Sequence, residues 1–174
     1  MKMKSRREEL GALSSERLID FIEMCAKNFW TLQNNWMANT ERRFGVEVAA
    51  EMDALCYGRA SEVMVHRAKK FFKLGGTMFD LAKILNTSIS AMYVDFEFPE
   101  LSEKRMVRRV RACPMQMTRL QQGLPELPCK EPAIRTYQRI ANAHNSRIRV
   151  VSVTAPPDPH PEDRWCDVVL EIVD

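Results

Sequence analysis

The sequence predicts an α+β fold, in which N-terminal helices pack on a roughly four-stranded antiparallel sheet made of two hairpins with an intervening helix. Three observations predict it. Apolar residues recur at helical spacing through the first half of the 174-residue chain. The period then changes to two after residue 90. Strand-like runs finally come in pairs, with a helical segment between the pairs.

The first long helix starts behind Ser14 or Ser15, either of which can cap it. Leu18, Ile22, Cys25, Phe29, Leu32 and Trp36 follow at spacings of three and four, the stripe of a helix packed along one side. A second ridge of Phe21, Trp30 and Met37 widens it. Gly45 turns the chain into a second helix over 46–72, with Ala49, Met52, Cys56, Ala60 and Val63 on one face. Gly58 inside that helix costs about 1 kcal/mol relative to Ala, which close helix packing would rationalise. Gly75 and Gly76 end the segment, and Thr77 with Asp80 makes a capping box for a short third helix.

From Ala91 to Phe98, Met92, Val94, Phe96 and Phe98 alternate with Tyr93, Asp95 and Glu97, as in a half-buried strand. The run 105–113 returns as its partner. A helical turn over 116–122, ended by Gly123, leads through Pro125 and Pro128 to a helix over 131–144, with Pro132 in its first turn. The runs 148–153 and 165–173 form the second hairpin, joined by a proline-stiffened loop. No internal repeat or domain boundary interrupts the chain, so residues 1–174 are expected to be one domain.

Composition excludes several classes. A net charge of +3 is too small to imply a polyanion partner, and no aromatic ladder accompanies the arginines, so nucleic acid is not expected. No apolar run is long enough to span a bilayer, so no membrane partner is expected. The opening Met1 to Glu9 is basic and then acidic, without the apolar core of a secretory leader. With an odd number of cysteines, five, this points to reduced thiols in the cytoplasm.

Nucleotide-binding glycine patterns, serine-elbow motifs and Cys-x-x-Cys pairs are all lacking. The candidate site is Cys113, Cys129, His160 and Cys166, which the two hairpins would bring to one end of the sheet. Thiolates and imidazole suit zinc or iron, because each offers a lone pair once its proton is lost or lacking. The bland alternative is that the cysteines fill the core as small apolar groups. The arginines at 105, 108, 109 and 111 face Asp95, Glu97, Glu100 and Glu103, and cross-strand ion pairs on a solvated face account for them. Arg119, beyond the strand, is the candidate anchor for a ligand carboxylate.

The run Cys113-Pro-Met-Gln-Met-Thr-Arg119, Gly123, Cys129, the segment Pro156-Pro-Asp-Pro-His-Pro161 and Trp165-Cys166 resemble an uncharacterised prokaryotic family close to the L-2-amino-thiazoline-4-carboxylic acid hydrolase-like proteins. The region around Trp36, Gly45 and Ala49-Ala50-Glu51 is similar as well. That resemblance implies a hydrolase of a small cyclic C–N or C–S substrate, with a cysteine as nucleophile or metal ligand. The order of elements is also similar to the vinyl-4-reductase-type domains, which implies a helix-covered sheet around a small-ligand cavity. Three readings follow: a small-ligand or metal-binding domain, a hydrolase, and a structural homodimer. Both ridges of the first long helix are hard to bury within one chain of this size, so a homodimer is expected.

Overall fold

A computed structural model describes residues 5–173, so Met1 to Lys4 of the basic opening lie outside it. The order of elements is α1 (Arg6–Gly11), α2 (Ser15–Phe44), α3 (Val46–Phe72), α4 (Met78–Asn86), β1 (Asp95–Leu101), β2 (Arg105–Ala112), α5 (Pro114–Gln121), α6 (Lys130–His144), β3 (Ile148–Thr154) and β4 (Cys166–Ile172). All pairings are antiparallel, in the order β1-β2-β4-β3. The fold is therefore the predicted α+β, with the two hairpins side by side. No helix among the described residues is long and apolar enough to cross a membrane.

Local signals set most boundaries. Ser14 accepts from the Arg17 amide at the start of α2. Thr77 and Asp80 exchange the two bonds of a capping box at the start of α4. Gly45, at φ 91°, makes the corner between α2 and α3, where a side chain would be strained.

One sheet face is covered and the other is wet. Met106, Arg108 and Val110 of β2 point inward with Val168 and Leu170 of β4 and Ile148 and Val153 of β3. Val65 of α3, Met78, Leu81 and Ile84 of α4, and Ile140 and Ala141 of α6 pack onto that face. The outer face carries the expected pairs of Arg105 with Glu100 and Arg111 with Asp95, and Arg105 and Arg109 also pair with Glu171 and Asp167 of β4.

Three details differ from the sequence reading. A short helix, α1, precedes α2, closed by a Ser5–Glu8 capping box. The first strand begins at Asp95, not Ala91. Ser88 bonds the Leu85 carbonyl, contacts the Ser90 hydroxyl and accepts from the Ala91 amide, which holds the preceding residues in turns. The third difference concerns sides. The α2 stripe read as packed faces outward, while Ala26, Trp30 and Met37 are the buried residues. In α3 the buried row is Ala50, Ala54, Gly58, Ser61 and Val65, and Met52 and Cys56 are exposed. Periodicity gives the width of an apolar stripe but not which of two stripes finds a neighbour.

Candidate functional site

Strand alternation turns Arg108 inward, between Met106 and Val110, and leaves it 3% exposed. Its guanidinium lies over the Phe96 ring at 4.0 Å and near the Tyr137 ring at 5.8 Å. Such cation–π contacts recover part of the lost hydration. Among the described residues no carboxylate pairs with it, and Nε is buried without a hydrogen-bond partner. A buried charge in that state is costly.

Polar groups from several elements surround this charge. Tyr57 of α3 and Tyr137 of α6 are held protonated by burial, Tyr137 pushed up to about 12. Tyr57 also interacts with the Ser90 and Ser61 hydroxyls. Cys113 precedes α5, and its thiol is pushed up by burial and pulled partly back by the amides of Gln116 and Met115 and by Arg108. Cys166 begins β4 opposite Val110, and burial pushes its thiol up to about 11. Cys129 precedes α6, and burial raises it further, reinforced by Cys113 and Cys166. A thiolate at Cys113 would oppose ionisation of Cys129 and Cys166, and all three thiols are neutral at pH 7.

Asp53 of α3 closes the same region. Burial raises its pKa, a hydrogen bond from Gln33 Nε2 lowers it, and its charge acts on both Tyr57 and Cys129. Gln116 is a clamp. Its Nε2 donates to the Leu127 carbonyl at 3.0 Å and to Cys129 Sγ at 3.2 Å, while its Oε1 accepts from the Leu127 amide at 2.8 Å. The connector between α5 and α6 is thereby tied to the thiol region.

The other sequence candidates sit elsewhere. His160 directs Nε2 to Glu126 at 3.2 Å, donates Nδ1–H to the Pro161 carbonyl at 3.0 Å and leans on Trp165. Those acceptors raise its pKa, the Pro161 carbonyl most. Among the described residues no group of three or more histidines, cysteines or acids is arranged to hold a metal ion. Arg119 binds Glu41 through both terminal nitrogens and the Pro125 carbonyl through Nε, so its donors are engaged within the chain.

Arg119 nonetheless lines a cleft of about 510 Å³ between α2 and α5, walled also by Asn34, Met37, Glu41, Met115 and Thr118. Asn34 donates to the Tyr93 hydroxyl at 3.0 Å, and its buried Oδ1 has no partner. Met37 and Met115 belong to a small apolar cluster against which Cys129 packs, and Cys129 also packs against the main core. Cys129 therefore lies between the Met37–Met115 wall of the cleft and the main core.

Sequence reasoning passed over Tyr57, Tyr137 and Gln116, and placed Arg108 in the solvated ion-pair cluster, whereas the structure buries it. The signal for Arg108 was present, since it occupies the same strand face as Met106 and Val110.

The model of a family of unknown function, DUF6125, matches residues 11–171. The chain belongs to that family. No curated protein and no solved structure matches it. The matched span runs from the last residue of α1 into β4.

Proposed function

We propose that this DUF6125 chain is a small-ligand-binding domain that holds an acidic molecule on Arg108. One observation carries the reading: a guanidinium 3% exposed, packed on two aromatic rings, with no carboxylate of its own. A guanidinium offers paired donors that match a carboxylate, and the pairing is strong where water is excluded. The neutral hydroxyls of Tyr57 and Tyr137 and the thiols of Cys113 and Cys166 supply further polar contacts around the anion. Asp53 disfavours a second negative charge, so the fitting ligand is a small monocarboxylate. The cleft at Asn34 and Met115, with Cys129 between its wall and the main core, is the approach side.

A soft metal ion on Cys113, Cys129 and Cys166 is the weaker reading, since among the described residues no group of three or more histidines, cysteines or acids is arranged to hold one. Zinc or iron there would have to displace protons that burial holds firmly. The hydrolase reading needs a thiolate nucleophile, which the same burial disfavours. Ligand binding is the better supported function.

The test is a thermal-melt screen of the full chain against small carboxylates and inorganic phosphate, followed by calorimetric titration and by elemental analysis of the untreated protein. Arg108→Met keeps the volume of the side chain and removes the charge. Carboxylates should raise the melting temperature of the parent chain and leave a folded Arg108→Met chain unmoved. Equal binding to that variant, or no stabilisation by any acid, rejects the reading. Stoichiometric zinc or iron with no acid binding would favour the metal site.

A further inference from the structure

We propose that the outer face of the α2–α3 hairpin binds a second copy of the same chain, with the two α2 helices antiparallel across a two-fold axis at Phe29. The hairpin has two sides. Gln33 reaches Asp53 between the helices, and Trp30 and Asn34 turn inward to Ile89 and Tyr93. Successive helix positions advance by about 100°, which leaves Cys25, Leu32 and Trp36 on the outward side, with Ile22 and the half-buried Phe29 at its edge toward α3. Trp36 is 69% exposed and Leu32 61%. The exposed Val48, Met52 and Cys56 of α3 continue this face. From Leu18 to Trp36 the ridge carries no charge. Polar neighbours fold back onto their own helix, with Thr31, Asn35, Asn39 and Thr40 each bonding a carbonyl one turn earlier.

The pattern of the ridge identifies a second copy as the occupant. A two-fold axis sets each residue against its reflection through the centre. About Phe29, Ile22 reflects onto Trp36 and Cys25 onto position 33, one residue from Leu32, so large side chains meet smaller ones and Phe29 meets itself. The ends match as well. Residues 16–23 hold Glu16, Asp20 and Glu23 against Arg17 alone. At the other end Arg42 and Arg43 are exposed, while Glu41 is occupied by Arg119. The antiparallel arrangement lays the acidic end of each α2 over the basic end of the other. The 30 residues of α2 run ~45 Å, and a face two helices wide is ~20 Å across. That gives ~900 Å² per copy, comparable with the ~800 Å² that each partner buries in a specific interface.

The experiment is light scattering on the full chain, with disulfide trapping to fix the register. The parent chain should have twice the 20.2 kDa mass of one copy, and a Leu32→Glu, Trp36→Glu double variant with unchanged circular dichroism should have the single mass. In a Cys25→Ser, Cys56→Ser background, mixing Ile22→Cys with Trp36→Cys chains should give a cross-linked pair that neither forms alone. A monomeric parent chain at high micromolar concentration, or a double variant that stays dimeric, overturns the interface. Trp36→Cys chains that cross-link to themselves as readily as to Ile22→Cys chains overturn the antiparallel register.

Discussion

Arg119 of α5 grips Glu41 of α2 with both terminal nitrogens, at 2.5 and 3.0 Å, and its side chain is only 10% exposed. This fork, with the bond from Nε to the Pro125 carbonyl, fixes α5 and the start of its connector against α2. Its hydrogen bond holds the Glu41 carboxyl below the usual range. Removing one partner from such a pair leaves the other charge partly desolvated. Arg119→Ala should cost about 2–4 kcal/mol in chemical denaturation. Acidic ligands should still bind the folded variant, because Arg108 and not Arg119 is the proposed anchor. Loss of binding at unchanged stability would reverse those roles.

His144 gives the fold an acid limit. Its Nε2–H donates to the Thr77 carbonyl at 2.9 Å, while Nδ1 is buried without a partner. Burial is the largest influence and lowers its pKa from the ordinary 6.5. An unfolded chain therefore takes up a proton below pH 6.5 that the folded ring resists. The stability associated with the neutral ring is present above pH 6.5 and declines as pH falls toward the lowered value. Denaturation midpoints should drop through that window in the parent chain, and His144→Gln should flatten the slope.

The thiols divide by environment. Cys56 and Cys25 are exposed, whereas burial raises Cys113, Cys129 and Cys166. A chromogenic disulfide reagent at pH 8 should modify Cys25 and Cys56 rapidly in the Leu32→Glu, Trp36→Glu chain and more slowly in the parent dimer, whose interface covers both. The other three should react only on unfolding. Fast modification of Cys113 in the native chain would contradict its placement.

Gly58 lies on α3 against α6, where an added Cβ would come 3.1 Å from Arg139 Cδ and 3.8 Å from Thr136 Oγ1. The Arg139 side chain is exposed and can move, and alanine gains about 1 kcal/mol of helix propensity. Gly58→Ala should therefore raise stability by about 0.5 kcal/mol. Gly58→Leu would collide with α6 and should lower it by about 2 kcal/mol. Thermal melts of the two variants decide the sign.

The elements were legible because their determinants are local. Ser14, Gly45 and the Thr77–Asp80 pair mark helix ends on their own, and the ion pairs of the outer sheet face follow from facing charges on neighbouring strands. The sides of the helices were not legible. In α2 the stripe through Leu32 and Trp36 is the more regular of the two, yet the one holding Trp30 is buried, because Tyr57, Tyr93 and the Ile89 carbonyl meet it. Those partners lie 27 or more positions away, beyond any helical window. The candidate site was half readable. Cysteines near strand and helix ends were visible, but Arg108 was read with Arg105, Arg109 and Arg111 as one solvated cluster. Treating β2 as a period of two separates it from them, since its neighbours on the strand face are Met106 and Val110.

The place of β4 between β2 and β3 has a kinetic consequence. It pairs Val110 with Cys166 and Arg105 with Glu171, residues more than fifty positions apart. Until β4 arrives, the first hairpin and β3 each carry a bare edge, and Arg108 lacks the neighbouring strand that walls it in. Closing so long a loop is entropically uphill before any of its contacts form. The helical hairpin can assemble early from near neighbours, whereas the surroundings of the buried arginine are completed by the insertion of a single strand. Ligand-binding competence should therefore emerge with that late, non-local step rather than with the helices.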